Sequence, residues 1–196
     1  MPENIPLPIE LDDLLAAEYQ YIAQTANQAN EDRARVSSFY LIAVGSLLAA
    51  LFGTQLFNSN SRSPEISIIF GGLFTLLTLL GLSTIMQLAR LRAAWHESML
   101  AMNQIKDFMI SQNSELSRAF RWKTDTLPSR YKMNSVSYYQ AVEVALIAGL
   151  MFGTAIFFVQ HAVVKDNINI IHWMISILSG ILIFLLQLQI YKRSLR

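Results

Sequence analysis

The chain has 196 residues, of which 53% are hydrophobic and 15% are charged, and its mean hydropathy is +0.36. Soluble domains carry about 25% charged residues, so this composition excludes an ordinary water-soluble fold. The sequence contains no cysteine, which excludes disulfides, thiol catalysis and thiolate metal sites.

Four long apolar runs divide the chain, at Val36–Phe57, Ile66–Ala89, Ala141–Val164 and Ile170–Tyr191. Each run has the ~20 residues that a helix needs to cross a hydrocarbon core of about 30 Å. Every Lys and Arg except Arg62 and Lys165 lies before the first run, between the second and third, or after the fourth. Because cytoplasmic segments collect Lys and Arg, we expect both termini and the middle loop to be cytoplasmic.

The predicted fold is therefore an all-α integral membrane protein of two transmembrane hairpins with additional cytoplasmic helices. Its segments are an acidic amphipathic helix within residues 1–35, a first hairpin at 36–89, a basic helical segment at 90–138, and a second hairpin with a short basic tail at 139–196. We expect a multi-pass protein of a bacterial inner or plasma membrane, with the lipid bilayer as its first partner.

The N-terminal segment has apolar residues at helical spacing between Leu11 and Ala26. This pattern predicts an amphipathic helix, and nothing in the sequence separates it from the first span. Glu31 and Arg35 lie one helical turn apart and can pair.

The first and third runs each carry small residues at every fourth position. They are Gly45, Ala49 and Gly53 in the first run, and Ala145, Gly149 and Gly153 in the third. Small residues at this spacing form a flat face on which two helix backbones approach closely. We expect these residues to lie at helix–helix contacts, either between the hairpins or between copies of the chain.

An apolar stripe continues beyond the second run at heptad-like spacing. Its members are Leu88, Leu91, Trp95, Met102, Ile105 and Met109. We expect the second span to project into the cytoplasm as one helix that ends near Gln112. The N-terminal helix, another copy or a cytoplasmic protein partner would cover the stripe, since a long exposed apolar stripe is an interaction site.

Residues 120–123 of the middle segment are alternately aromatic and basic. Three tyrosines follow, Tyr131, Tyr138 and Tyr139. Aromatic and basic residues near a membrane entry lie typically at the level of the lipid headgroups. The third helix is predicted to start near Tyr139.

The two hairpins share residues at a constant offset of 100 positions. Val36, Ser37, Val44 and the Phe-Gly-Thr of 52–54 recur at 136, 137, 144 and 152–154, and Gln87-Leu88 recurs at 187–188. This pattern favours a duplication, although low-complexity apolar segments also match by chance. If the hairpins are duplicated, they are parallel repeats related by an axis along the membrane normal.

Polar residues inside the spans are candidates for a pore wall. They are Ser46, Thr54, Thr154 and Ser176, with Glu143 near the inner mouth. The alternative is that each hydroxyl bonds the backbone of its own helix, and that Glu143 is an ordinary residue at the interface.

No catalytic, cofactor or metal motif is found in the sequence. His96 and Glu97 are adjacent on a helix, point about 100° apart, and so do not converge on one ion. We therefore expect no enzymatic activity, no cofactor, no metal and no nucleic-acid partner.

A mostly uncharged bundle, a repeated small-residue face and an amphipathic cytoplasmic helix favour a small oligomeric membrane protein. Our leading interpretation is a pore-forming or gated channel-like protein, controlled by its cytoplasmic helices. A single bundle of four helices leaves little room for water, so a pore would need an oligomer. The alternatives are a non-catalytic membrane scaffold that binds a partner and, more weakly, a small transporter.

Overall fold

The computed structural model describes residues 11–53, 64–164 and 168–196. These residues form four long helices, α1 (Leu11–Gly53), α2 (Pro64–Gln112), α3 (Val136–Val164) and α4 (Ile170–Ser194), and include no strand. All four helices are long and apolar enough to cross a membrane. The prediction of an all-α membrane protein is thus confirmed in helix content and in the number of candidate spans, while sidedness and duplication stay predictions.

Helices α1 and α2 are much longer than a membrane crossing requires. At 1.5 Å per residue, the 43 residues of α1 measure about 65 Å and the 49 residues of α2 about 74 Å. A hydrocarbon core of about 30 Å accounts for less than half of either length. The N-terminal amphipathic helix and the first span are therefore one helix, and α2 ends at Gln112, where the heptad-like spacing predicts.

The two long helices divide the molecule into two parts. We call residues 11–35 of α1, 90–112 of α2 and the segment 113–135 the arm. The remainder of α1 and α2, with α3 and α4, is the bundle, and the side from which the arm projects is its arm end.

Neighbouring helices of the bundle run antiparallel in chain order. Tyr40 of α1 meets Gly81 of α2, which also meets Ala148 of α3, and Gly149 of α3 meets Gly180 of α4. Helix α2 packs against all three other helices, whereas in the described residues α1 and α4 do not pack along each other. The bundle is therefore open, with α1 and α4 at its two edges.

The core lies between α1, α2 and α3, because α3 presents a row of alanines to its neighbours. Ala141, Ala145, Ala148 and Ala155 are all almost completely buried. Aromatic rings close the far end, where Phe74 stacks on Phe158 with 5.6 Å between ring centroids.

The segment between α2 and α3 folds back along α2 toward the bundle. It contains two short 3-10 helices, Ser114–Arg118 and Thr124–Thr126. The side-chain amide of Asn103 donates to the carbonyl of Lys123 at 3.0 Å, and a ring nitrogen of His96 lies 3.1 Å from the carbonyl oxygen of Pro128. Helix α3 begins at Val136, three residues before the expected Tyr139, because Ser135 accepts a hydrogen bond from the backbone N–H of Tyr138 and caps its first turn.

Candidate functional site

The small-residue face of α3 packs directly against the backbone of α4. A Cβ added at Gly149 would lie 2.7 Å from the carbonyl oxygen of Gly180, and one added at Gly153 would lie 2.9 Å from that of Ser176. Ala145, the third member of the face, is fully buried. The two helices therefore approach backbone to backbone, and Gly180 is a partner that the sequence pattern did not single out.

The corresponding face of α1 has no partner among the residues that the structure describes. Nothing lies within 4 Å of a Cβ added at Gly45 or Gly53, and Ala49 is exposed. The two faces that match in sequence thus have opposite environments. In α3 the face is filled by α4, and in α1 it is open.

The candidate pore residues do not converge in a single copy. Ser46 is exposed on the outward face of α1, whereas Thr154 and Ser176 lie at the α3–α4 contact on the other side of the bundle. The hydroxyl of Thr154 donates to the carbonyl of Leu150 in its own helix at 2.9 Å. Glu143 is exposed near the arm end of α3, and Thr54 lies outside the described residues.

Two grooves on the surface of the bundle differ in chemistry. The groove between α3 and α4 measures about 430 Å³, and its lining is mainly apolar, with Leu146, Leu150, Phe157 and Trp173 among the residues. The groove between α1 and α2 measures about 240 Å³ and is lined by Arg35, Val36, Phe39, Tyr40, Ala43, Leu80, Ser83, Thr84 and Gln87. Polar side chains thus occur in both grooves, Thr154 and Ser176 in the first and Ser83, Thr84 and Gln87 in the second, but the first groove has the more extensive apolar lining.

The apolar stripe of α2 is buried to different degrees along the arm. Leu88 is 1% exposed and belongs to the core, while Leu91, Trp95, Met102 and Ile105 are half-buried and Met109 is 37% exposed. Ile22, Ala26 and Ala29 of α1 are buried beside α2. The N-terminal part of α1 thus packs along the arm portion of α2, with the Lys106 ammonium 5.8 Å from the centre of the Tyr19 ring.

A cluster of polar side chains joins the four helices at the arm end. The guanidinium of Arg33 donates to the hydroxyl of Ser137 and, at 2.9 Å, to the side-chain carbonyl of Asn30. Arg92 is only 7% exposed, and its Nε donates to the carbonyl of Arg130 at 3.2 Å. The buried phenol of Tyr191 lies near Ser137 and interacts electrostatically with both guanidiniums.

Burial has the largest effect on the pKa values of the two arginines in this cluster. It lowers the pKa of Arg33 and of Arg92, and the positive charge of Arg92 lowers the pKa of Arg33 further. Arginine side chains are not deprotonated in proteins, so both stay charged at neutral pH.

In the sequence analysis Arg33 and Arg92 count only among the Lys and Arg residues that mark sidedness. The signal of their burial is their helical phase. Arg33 lies on the buried face of α1 with Ser37, Tyr40 and Val44, and Arg92 lies one turn after the buried Leu88. The sequence alone therefore shows that each of the two long helices carries a charged residue on its apolar face.

The aromatic and basic residues at 120–123 lie far from the bundle. Lys123 is level with Asn103, which is 14 residues beyond the last residue of the second apolar run, or about 21 Å along α2. Trp122 is 61% exposed there. The segment already runs back along α2 at Lys123, and the expectation that these residues lie at headgroup level stays a prediction.

Across the described ranges, no group of three or more His, Asp or Glu side chains could hold a metal ion. His96 bonds the carbonyl oxygen of Pro128 rather than a cation. Together, the four apolar helices and the open bundle define a membrane-embedded helical protein. Known protein families, curated proteins and solved structures contain no match to this chain.

Proposed function

We propose that this chain is a small oligomeric membrane protein with its termini and arm in the cytoplasm. Copies assemble around an axis lined by the outward side of α1 and α2, and the assembly forms a pore whose state is set by the arm. The observation that carries the proposal is the unequal chemistry of the two outward sides of the bundle.

The outward face of α4 has the composition of a lipid-facing surface. It exposes large apolar side chains along its whole length, namely Ile170, Ile171, Trp173, Met174, Ile175, Ile177, Leu178, Ile181, Leu182, Leu185 and Leu186. Such side chains fill the space between acyl chains and need no protein partner. This face supports an orientation in which α4 lies at the lipid boundary of the assembly.

The outward side of α1 and α2 is mixed, since exposed apolar side chains such as Phe39 and Leu79 stand among small and polar ones. The small and polar residues exposed there are Gly45, Ser46 and Ala49 of α1 and Ser83 and Gln87 of α2. The Gln87 amide donates to the Ser83 hydroxyl at 3.2 Å, which leaves further polar atoms without a partner in hydrocarbon. Since polar groups at membrane depth face other helices or water, this side is better placed toward an axis than toward lipid.

The arm is mechanically continuous with this side of the bundle. Helices α1 and α2 both pass from the arm into the bundle without a break at 35–36 or 89–90. A tilt or rotation of the arm is therefore transmitted directly to the two helices that would line the axis. The proposed control of the pore therefore needs no mobile linker between the arm and the bundle.

The first test measures assembly. Because the sequence contains no cysteine, a disulfide can form only between the introduced cysteines. Under oxidising conditions in vesicles, Ala49→Cys should form disulfide-linked dimers because two copies of α1 meet there. Ile175→Cys, on the outward face of α4, is the matched control and should stay monomeric. Cross-linking of Ile175→Cys alone would reverse the proposed orientation.

The second test is conduction by purified protein in planar bilayers. We expect current from the wild type, and loss of current from a Ser46→Leu, Gln87→Leu variant that retains its oligomeric size. Ile175→Ala, which changes a lipid-facing position, should conduct normally. Silence of the wild type across voltages would remove the pore from the proposal and leave an oligomeric scaffold.

The scaffold alternative is favoured by the surface of the arm. Trp122 is largely exposed, and Arg121 and Arg118 nearby in the chain are exposed as well. An exposed tryptophan flanked by arginines is typical of a protein-binding surface. If Trp122→Ala abolishes capture of a cytoplasmic protein by a non-conducting wild type, the scaffold function is supported.

A further inference from the structure

Two cations at the arm end, the buried Arg92 and the half-buried Arg33, lack the counter-charge that burial normally requires. Neither Arg33 nor Arg92 has a carboxylate within 4.0 Å among the described residues. Moving a charge out of water is costly unless an opposite charge accompanies it. Neutral hydroxyl, amide and carbonyl acceptors compensate for part of that cost but leave the net charge of two unbalanced.

The nearby carboxylates are engaged by exposed arginines instead. Glu31 and Asp32 lie 4.0 and 3.8 Å from Arg35, and Glu97 lies 3.0 Å from Arg130. These pairs lie in contact with solvent, where an ion pair contributes little to stability. These three acids are thus paired with arginines that water already solvates, and the buried Arg92 and half-buried Arg33 are left for another anion.

Both guanidiniums retain hydrogen-bonding capacity. The Nε of Arg33 is buried without a hydrogen-bond partner. Arg92 uses its Nε on the carbonyl of Arg130 and holds its guanidinium 4.3 Å from the centre of the Trp95 ring, which leaves its two terminal nitrogens for an acceptor. Planar guanidiniums with paired donors match the geometry of phosphate oxygens.

The depth of the pair matches that of a phosphate in a lipid headgroup. Arg33 lies three residues before the first apolar run and Arg92 three residues after the second, so each is about 4.5 Å beyond the hydrocarbon boundary. The hydroxyls of Ser137 and Tyr191 lie between α3 and α4 at the same level. The site therefore has two cations and two hydroxyls at the level of the inner headgroups.

We propose that Arg33 and Arg92 bind one phosphate group between the arm and the bundle, and that its depth makes an anionic phospholipid the natural ligand. The bound phosphate neutralises the pair and joins α1 to α2 where the arm meets the bundle. This inference does not depend on conduction or on oligomer formation, since the whole site belongs to one copy.

The test measures thermal stabilisation of the full-length protein in a neutral detergent by three probes. These are dioctanoyl phosphatidylglycerol, inorganic phosphate at matched ionic strength, and dioctanoyl glycerol, which has the same chains without phosphate. We expect saturable stabilisation by phosphatidylglycerol and none by dioctanoyl glycerol. Stabilisation by inorganic phosphate as well would identify a soluble phosphate compound as the ligand of the same site.

Matched variants assign the effect to Arg33 and Arg92. Arg92→Gln should weaken phosphatidylglycerol binding at least about tenfold, the loss expected when one charge-assisted contact is removed. Arg35→Gln changes the net charge equally at an exposed, paired position and should leave binding within about twofold. If Arg92→Gln does not fold, Arg33→Lys and Arg92→Lys keep the charge, remove the planar fork and should each weaken binding. Equal stabilisation by phosphatidylglycerol and dioctanoyl glycerol, or equal losses in Arg35→Gln and Arg92→Gln, would overturn the proposal.

Discussion

The contact between α3 and α4 allows a substitution of one methyl group to be worked out from the structure. A Cβ added at Gly180 would lie 2.7 Å from the carbonyl oxygen of Gly149, while ordinary van der Waals contact begins at 3.4 Å. The carbonyl oxygen of Gly149 belongs to the backbone and cannot rotate away as a side chain can. Gly180→Ala must therefore move α3 and α4 apart by about 0.7 Å, which is the difference between these two distances. Overpacking of this kind typically costs about 1–3 kcal/mol.

The matched control is Gly72→Ala in α2. Nothing lies within 4 Å of a Cβ added at Gly72, so the same methyl group meets open space. Alanine is a better helix former than glycine by up to about 1 kcal/mol, so the control should be neutral or stabilising. The two variants are therefore predicted to shift stability in opposite directions although their chemistry is identical.

The assay is thermal unfolding in detergent, followed by circular dichroism at the helical signal. For a chain of this size, 1 kcal/mol corresponds to about 2–4 °C, so Gly180→Ala should unfold some 2–12 °C below the wild type. Equal unfolding temperatures for Gly180→Ala and Gly72→Ala would show that α3 and α4 do not approach backbone to backbone. The same result would remove the basis for the α3–α4 edge of the bundle.

Two further predictions concern sidedness and pH. Cysteines placed at Ser59 or Asn167 should react with an impermeant reagent added outside the cell, and one at Ser114 should not; the opposite labelling would invert the topology. Burial lowers the pKa of His96 below its usual 6.5, and the charges of Arg130 and Arg92 add to this, although the hydrogen bond to Pro128 and the charge of Glu97 oppose it. A depressed pKa in the folded state means that His96 stabilises the fold above about 6.5 and loses that contribution as the pH falls toward its folded pKa. The wild type should therefore lose stability on acidification below 6.5, and His96→Gln should lose less; equal pH profiles for the two would contradict this account.

The helices and their lengths were predictable because their signals are local. An apolar run of about 20 residues fixes a span, and the seven-residue spacing after Leu88 extends α2 to Gln112. The pairing of faces was not predictable in the same way. Periodicity within one helix shows which residues share a face, but the order of helices in the bundle decides that Gly149 meets Gly180 while Gly45 meets none of the described residues.

The arginine cluster at the arm end could not be predicted from the sequence either. In the sequence, Arg33 and Arg92 are two of many basic residues that mark one side of the membrane. Their helical phase places each on a buried face, but only the antiparallel packing of α1 on α2 brings the two faces to one level. Ser137 and Tyr191 then join them from helices that lie more than 40 residues further along the chain.

The comparison of the two hairpins connects the open face of α1 to the proposed assembly. If the hairpins arose by duplication, the positions of α2 that correspond to Ser176 and Gly180 are Leu76 and Leu80. These leucines are exposed and bulky, so α2 cannot fill the small-residue face of α1 as α4 fills that of α3. Helix α2 instead approaches α1 through Gly81, which meets Tyr40 on a different face. The first hairpin therefore keeps a face shaped for close backbone contact that no described residue of the same copy covers, and a second copy of α1 offers a face of the same shape. For this reason the cross-linking of Ala49→Cys tests the central step of the proposed function, because lipid at this face would leave the cysteines apart.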